Sequence, residues 1–148
     1  MIAIDTNILV YAHRSDLPFH EPARSRLAAL AAGPHRWCVP WPCLHEFLAV
    51  VTNPRVFRRP SPLEVAFDVI DALAGSGCCE FIGEGEAHLR SLAELATAAR
   101  AAGGAIHDAR IAAICLAHGI RELWSADRDF SRFPSLRVVN PLIGPPPR

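Results

Sequence analysis

Four acidic residues stand beside or inside apolar runs, where a folding chain has least room for charge. Asp5 closes Met1-Ile2-Ala3-Ile4, and Glu46 interrupts the apolar stretch from Val39 to Val51. Asp108 opens the run Ala109 to Ala117, and Asp127 follows Glu122-Leu123-Trp124-Ser125-Ala126. A carboxylate withdrawn from water is costly unless a counter-charge or a metal compensates it. Four of them spread along the chain predict a fold that gathers them at one divalent-cation site.

The 148 residues, 51% of them hydrophobic, suit one globular domain with an adequate core. No apolar run approaches the length that spans a bilayer, so no membrane association is expected. The N-terminus meets an acid at Asp5 and lacks a basic-then-apolar leader, which predicts a cytoplasmic protein. The formal net charge is zero, so any grip on nucleic acid must come from a local patch or a metal. All 15 basic residues are Arg. Without Lys, a phosphate-binding loop ending in Gly-Lys-Ser/Thr and Schiff-base chemistry are both excluded. Five cysteines without a Cys-x-x-Cys pair read as buried reduced thiols, and seven scattered His residues offer no zinc-hydrolase spacing.

Apolar runs and breakers divide the chain into alternating strands and helices. Strands are expected at Ile2 to Asp5, Trp37 to Val39, Cys78 to Ile82, Glu122 to Ser125 and Arg137 to Val139. Helices are expected at Asn7 to His13 and at Glu21 to Ala32, the latter stopped by Gly33-Pro34. Another starts near Pro42 and runs to Val51, where Asn53-Pro54 stops it. Ser61 with Glu64 has capping-box spacing for a helix to Ala74. Further helices are expected at Glu86 to Ala102 and from His107-Asp108 to His118, where Gly119 is the stop. This alternation predicts an α/β fold, a three-layer α/β/α sandwich around a mostly parallel sheet. Residues 1–143 would form the domain and 144–148 a Pro-rich tail. Ligands of such sheets bind beyond the carboxyl ends of the strands, where Asp5 and Asp127 fall.

Each acid also has a structural explanation. Asp5-Thr6-Asn7 suits a helix N-cap as well as a ligand and its hydroxyl support. Glu46 lies opposite Leu44, Leu48 and Val51 on a helix, yet beside Cys43 and Val50, so its face is not a plainly solvated one. Asp108 suits the positive end of a helix. Asp127 and Asp129 lie in a polar turn, where either can be a ligand or a cap.

The order of these elements resembles the PIN-domain nucleases, and more closely the VapC toxins of bacterial toxin–antitoxin pairs. The residues carrying the resemblance are Ile4-Asp5-Thr6-Asn7, His45-Glu46-Phe47-Leu48, His107-Asp108-Ala109-Arg110-Ile111-Ala112-Ala113 and Ser125-Ala126-Asp127-Arg128-Asp129-Phe130. Thr52-Asn53-Pro54-Arg55-Val56-Phe57 adds a loop found in one branch of those toxins. The resemblance implies an endoribonuclease whose acids Asp5, Glu46, Asp108 and Asp127 bind Mg²⁺ or Mn²⁺. Asp129 is the alternative for the fourth place, and Ser125 stands where the family often has Thr. Also implied are an RNA substrate, a homodimer and a small antitoxin whose C-terminal segment blocks the crevice. Thr6, Asn7 and Ser125 would orient ligands; the loop of Arg55, Arg58 and Arg59 would grip RNA phosphates, contact the antitoxin or stand as a plain solvated loop. Two other classes remain: an inactive α/β interaction module whose acids are caps, and a haloacid-dehalogenase-like phosphatase. The second needs an Asp-x-Asp pair and a downstream cation, whereas Asn7 holds the position two after Asp5.

Overall fold

The computed structural model describes residues 1–144; the rest of the Pro-rich tail lies outside the described residues. Five short strands form one parallel sheet: β1 (Ile2–Ile4), β2 (Trp37–Pro40), β3 (Cys79–Ile82), β4 (Glu122–Trp124) and β5 (Arg137–Val139). Six helices alternate with them: α1 (Thr6–His13), α2 (His20–Ala32), α3 (Trp41–Val51), α4 (Leu63–Ala74), α5 (His88–Ala98) and α6 (Ala105–Ala117). A 3-10 helix at Arg128–Arg132 precedes β5. α1 packs on α2 and α3, α3 also on α4, while α5 and α6 pair with each other. Among the described residues, no helix is long and apolar enough to cross a membrane.

The sheet order is β3-β2-β1-β4-β5. The chain therefore grows outward from β1 on one side, then returns to add β4 and β5 on the other. That reversal opens a crevice beyond the carboxyl ends of β1 and β4, because the loops leaving them diverge. Register aligns the two strands, with Ile4 opposite Trp124 and the Asp5 amide donating to the Trp124 carbonyl at 3.0 Å. Asp5 and Ser125 thus leave the sheet side by side.

β1 and β2 are buried almost throughout, which is why continuous apolar runs rather than alternation encode them. On α3 the core residues Cys43, Leu44, Phe47 and Val51 follow helical periodicity, with Pro42 in the first turn. α6 buries Ala109, Ile111, Ala112, Ala113, Ile114 and Cys115, and its small residues allow close packing. The fully buried Trp37, Phe47, Phe130 and Phe133 fill much of the remaining core.

Two expectations are corrected. The helix expected at Glu86 to Ala102 occupies only His88–Ala98. It ends where Arg100 adopts a left-handed φ of 49° and the Ala101 amide turns back to the Ala96 carbonyl at 2.8 Å. Nor does the Ser61 capping box form: Pro62 takes the cap position without a side-chain hydrogen bond. The Ser61 hydroxyl instead pairs with His13 Nε2 at 2.8 Å, a tertiary partner that outcompetes the local one.

Candidate active site

Asp5 is the anchor. It is 4% exposed and every carboxylate contact is with a neutral donor. Oδ1 accepts from the Thr6 amide at 2.8 Å and from the Cys43 thiol at 3.7 Å. Oδ2 accepts from the Ser125 hydroxyl at 2.6 Å and from Asn7 Nδ2 at 2.7 Å. Burial pushes its pKa up to about 6, and the charge of Glu46 adds to the rise, while the hydrogen bonds from Ser125, Thr6 and Cys43 oppose it.

Asn7 acts as a clamp between the two strand ends. Its Nδ2 reaches both Asp5 and Ser125 Oγ, the latter at 3.0 Å, and its Oδ1 accepts from the Ala126 amide at 3.0 Å. Ser125, itself buried, also accepts from the Asp127 amide at 2.9 Å. Thr6 ties α1 to α3, donating its hydroxyl to Glu46 Oε2 at 2.6 Å.

A cavity of about 840 Å³ opens over this network, and Asp5, Glu46, Asp108 and Asp127 all line it. The four acids expected from sequence are brought together, but they are not equally buried. Glu46 and Asp127 are exposed and Asp108 is half-buried, so only Asp5 is withdrawn from water. Partial burial raises the pKa of Asp108, and the charges of Asp127, Asp129 and Glu46 raise it further; Arg132 opposes them. Asp127 also caps the 3-10 helix by accepting from the Asp129 amide at 2.8 Å. Asp129 is exposed and does not line the cavity. Arg55, Arg58 and Arg59 are exposed on the loop whose Val56 and Phe57 form part of the cavity wall.

Four carboxylates on one crevice, with the pKa of Asp5 and of Asp108 raised and Asp5 buried among neutral donors only, form a set that suits a hard cation. Among the described residues, no three His, Cys, Asp or Glu side chains already stand together as a finished metal cage. The donor chemistry fits; the carboxylates share a crevice rather than a preformed cluster.

Sequence reasoning assigned no site role to Cys43, Tyr11, His107 or Arg110. Cys43 stood out only as a buried thiol beside Glu46, three residues before it on the helix. Tyr11, His107 and Arg110 line the cavity. His107 and Arg110 flank Asp108 in the stretch that carries the family resemblance, whereas nothing in its local pattern separates Tyr11 from an ordinary helical position.

A family model described as the PIN domain matches residues 2–136. Ribonuclease VapC43 of Mycobacterium tuberculosis is 40% identical over 144 residues, covering 97% of this chain and 97% of the relative. The fold is similar to that of VapBC2 from Rickettsia felis, solved bound to a DNA fragment from the promoter. That match has a TM-score of 0.68 at 22% identity and covers 94% of this chain and 98% of the other. A toxin–antitoxin complex from Klebsiella pneumoniae matches with a TM-score of 0.63 at 18% identity, over 95% and 98% of the two chains. The two structures speak for the fold, and the family model and the full-length relative for descent. The chain belongs to the PIN-domain family, among the VapC ribonucleases.

Proposed function

We propose that this protein is the ribonuclease toxin of a toxin–antitoxin pair, hydrolysing RNA phosphodiester bonds with Mg²⁺ or Mn²⁺ held among Asp5, Glu46, Asp108 and Asp127. The observation that carries the reading is the meeting of these four acids in one crevice at the sheet's reversal point. VapC43, which this chain matches over 97% of both lengths, is named a ribonuclease.

Asp5 and Asp108 are the main ligands, with Glu46 and Asp127 completing the set. Asp127 is favoured over Asp129 because it is the one that lines the cavity. A bound ion would neutralise charge developing on the scissile phosphate and lower the pKa of an attacking water. The chain's own residues position the ligands: Asn7 and Ser125 hold Asp5 Oδ2, and the Thr6 hydroxyl holds Glu46. Arg55, Arg58 and Arg59, on the loop beside the cavity, suit RNA phosphates. Residues 1–143 act as one nuclease domain in the cytoplasm, as a homodimer restrained by a small antitoxin. Support for the antitoxin comes from similar folds such as the Klebsiella pneumoniae toxin–antitoxin complex.

The test is incubation with total RNA and Mn²⁺, an EDTA control, and mapping of fragment ends. Discrete cleavage that EDTA abolishes, and that folded Asp5→Asn and Asp108→Asn variants lack, is the expected result. A second reading, an inactive interaction module, draws on Asp5 and Asp127 both serving as caps. It requires that calorimetry detect no saturable Mn²⁺ uptake.

A further inference from the structure

Two groups of residues of different chemistry line the cavity. One is the four carboxylates. The other is Tyr11 and Leu17 from α1 and the turn after it, Val50 of α3, and Val56 and Phe57 of the following loop. It forms a second end in the direction that α1 and α3 take as they run on from Asp5 and Glu46. We infer that this second end is a subsite for one unstacked nucleobase of the RNA, with Tyr11 as the surface on which the base packs. The inference rests on the ribonuclease reading and deepens it.

Position argues for a base rather than more backbone. Tyr11 follows Asp5 by six residues, so at 1.5 Å rise per residue it stands about 9 Å along α1 from the carboxylate end. A phosphate held at the acids would therefore place a neighbouring nucleoside near this wall. No carboxylate is among the residues that wall this end, and an apolar, partly aromatic surface suits a neutral planar ring.

Among the aromatics, Tyr11 is the available one. The Phe57 ring is already covered on one face by the Arg14 guanidinium, 4.1 Å from its centroid, and is buried. Tyr11 is half-buried, and Phe19 meets it edge-on at 5.4 Å between centroids, which supports the ring in place.

Charge at the rim favours a polyanion over an apolar protein segment. Arg55, Arg58 and Arg59 are exposed beside Val56, and none is in an ion pair among the described residues. They can flank the base with contacts to the phosphates on either side of it. The arrangement of aromatic platform and cationic border is the one that single strands need.

The test uses an oligoribonucleotide that the wild-type chain cleaves, with a series of single abasic replacements around the cut. At one flanking position the abasic change should raise KM about tenfold, the typical worth of one stacked base. Tyr11→Ala should raise KM by a similar factor on the intact oligonucleotide, change kcat much less, and add nothing on the abasic one. Tyr11→Phe should restore wild-type KM. Val56→Asp, at a position 53% exposed and tolerant of charge for folding, should reproduce the KM rise if Tyr11→Ala proves unstable. Abasic and Tyr11→Ala penalties that multiply, or an abasic series without a sensitive position, would overturn the subsite. So would Tyr11 variants that weaken capture of the antitoxin while leaving KM for RNA unchanged. Absence of wild-type cleavage would instead sink the ribonuclease reading itself.

Discussion

Asp5 concentrates the energetic tension of the molecule. Its carboxyl titrates near 6 in the folded chain against 3.8 for the ordinary value. Between those values the folded protein keeps a proton that the unfolded chain has released. The group's contribution to stability is therefore complete at low pH and is lost as pH rises through about 6. A divalent cation should return that loss, and only where the acid is ionised. Scanning calorimetry should thus show a larger rise in Tm with Mg²⁺ near pH 7.5 than near pH 5. An equal rise at both would mean that Asp5 is not a ligand. Ser125→Ala removes the 2.6 Å bond to Asp5 and should cost about 10- to 100-fold in metal affinity or kcat, as losses of ligand-orienting groups do. Ser125→Thr, which keeps the hydroxyl, should recover most of it in the same titration.

The loop from Asn53 to Pro60 is basic and bounded by prolines, and what organises it is remote. Arg14, at the end of α1, ion-pairs with Asp16 at 2.7 Å and donates to the Arg59 carbonyl at 2.8 Å. It also covers the Phe57 ring. Its side chain is only 11% exposed, so its loss removes packing beneath the loop together with the donor to that carbonyl. Arg14→Ala should destabilise the chain by about 2 kcal/mol in urea titrations, combining a charged hydrogen bond with a cation–π contact. Faster amide exchange should be confined to residues 53–61. The unformed capping box has the same origin, since Ser61 Oγ goes to His13 and not to its own helix. Local spacing named a sound motif; a neighbour 48 residues away in sequence was the better partner. By contrast, Gly119 stops α6 as expected, because its φ of 71° is one that glycine adopts without strain.

At the scale of the whole molecule, α4 leaves a row of large apolar side chains open to solvent. Leu63 and Phe67, one turn apart, are 57% and 46% exposed, and Val65 is 40% exposed. An apolar row left open in this way suits a second copy of the chain. Phe67→Glu should change the stability of the monomer by no more than about 0.5 kcal/mol, as surface substitutions do, while shifting the sedimentation profile toward monomer. A profile unaffected by Phe67→Glu would move the self-association surface elsewhere or exclude it. The site depends on the same scale. Asp5, Glu46, Asp108 and Asp127 come from four separate stretches, and only the return of the chain across β1 to lay down β4 brings the last two beside the first.

Alternating apolar runs and breakers determined the class of fold, because strand and helix periods are local properties of a few consecutive residues. The four acids were legible for a related reason: each was out of place in its own neighbourhood. Burial was not legible. Asp5 is enclosed while Glu46 and Asp127 face the crevice, a distinction set by how layers close over strand ends. Sheet order, the Arg14 tether, the Cys43 thiol on Asp5 and the Tyr11 wall belong to the tertiary structure alone. They join residues far apart along the chain, and such contacts follow from packing geometry, which no window of neighbouring residues contains.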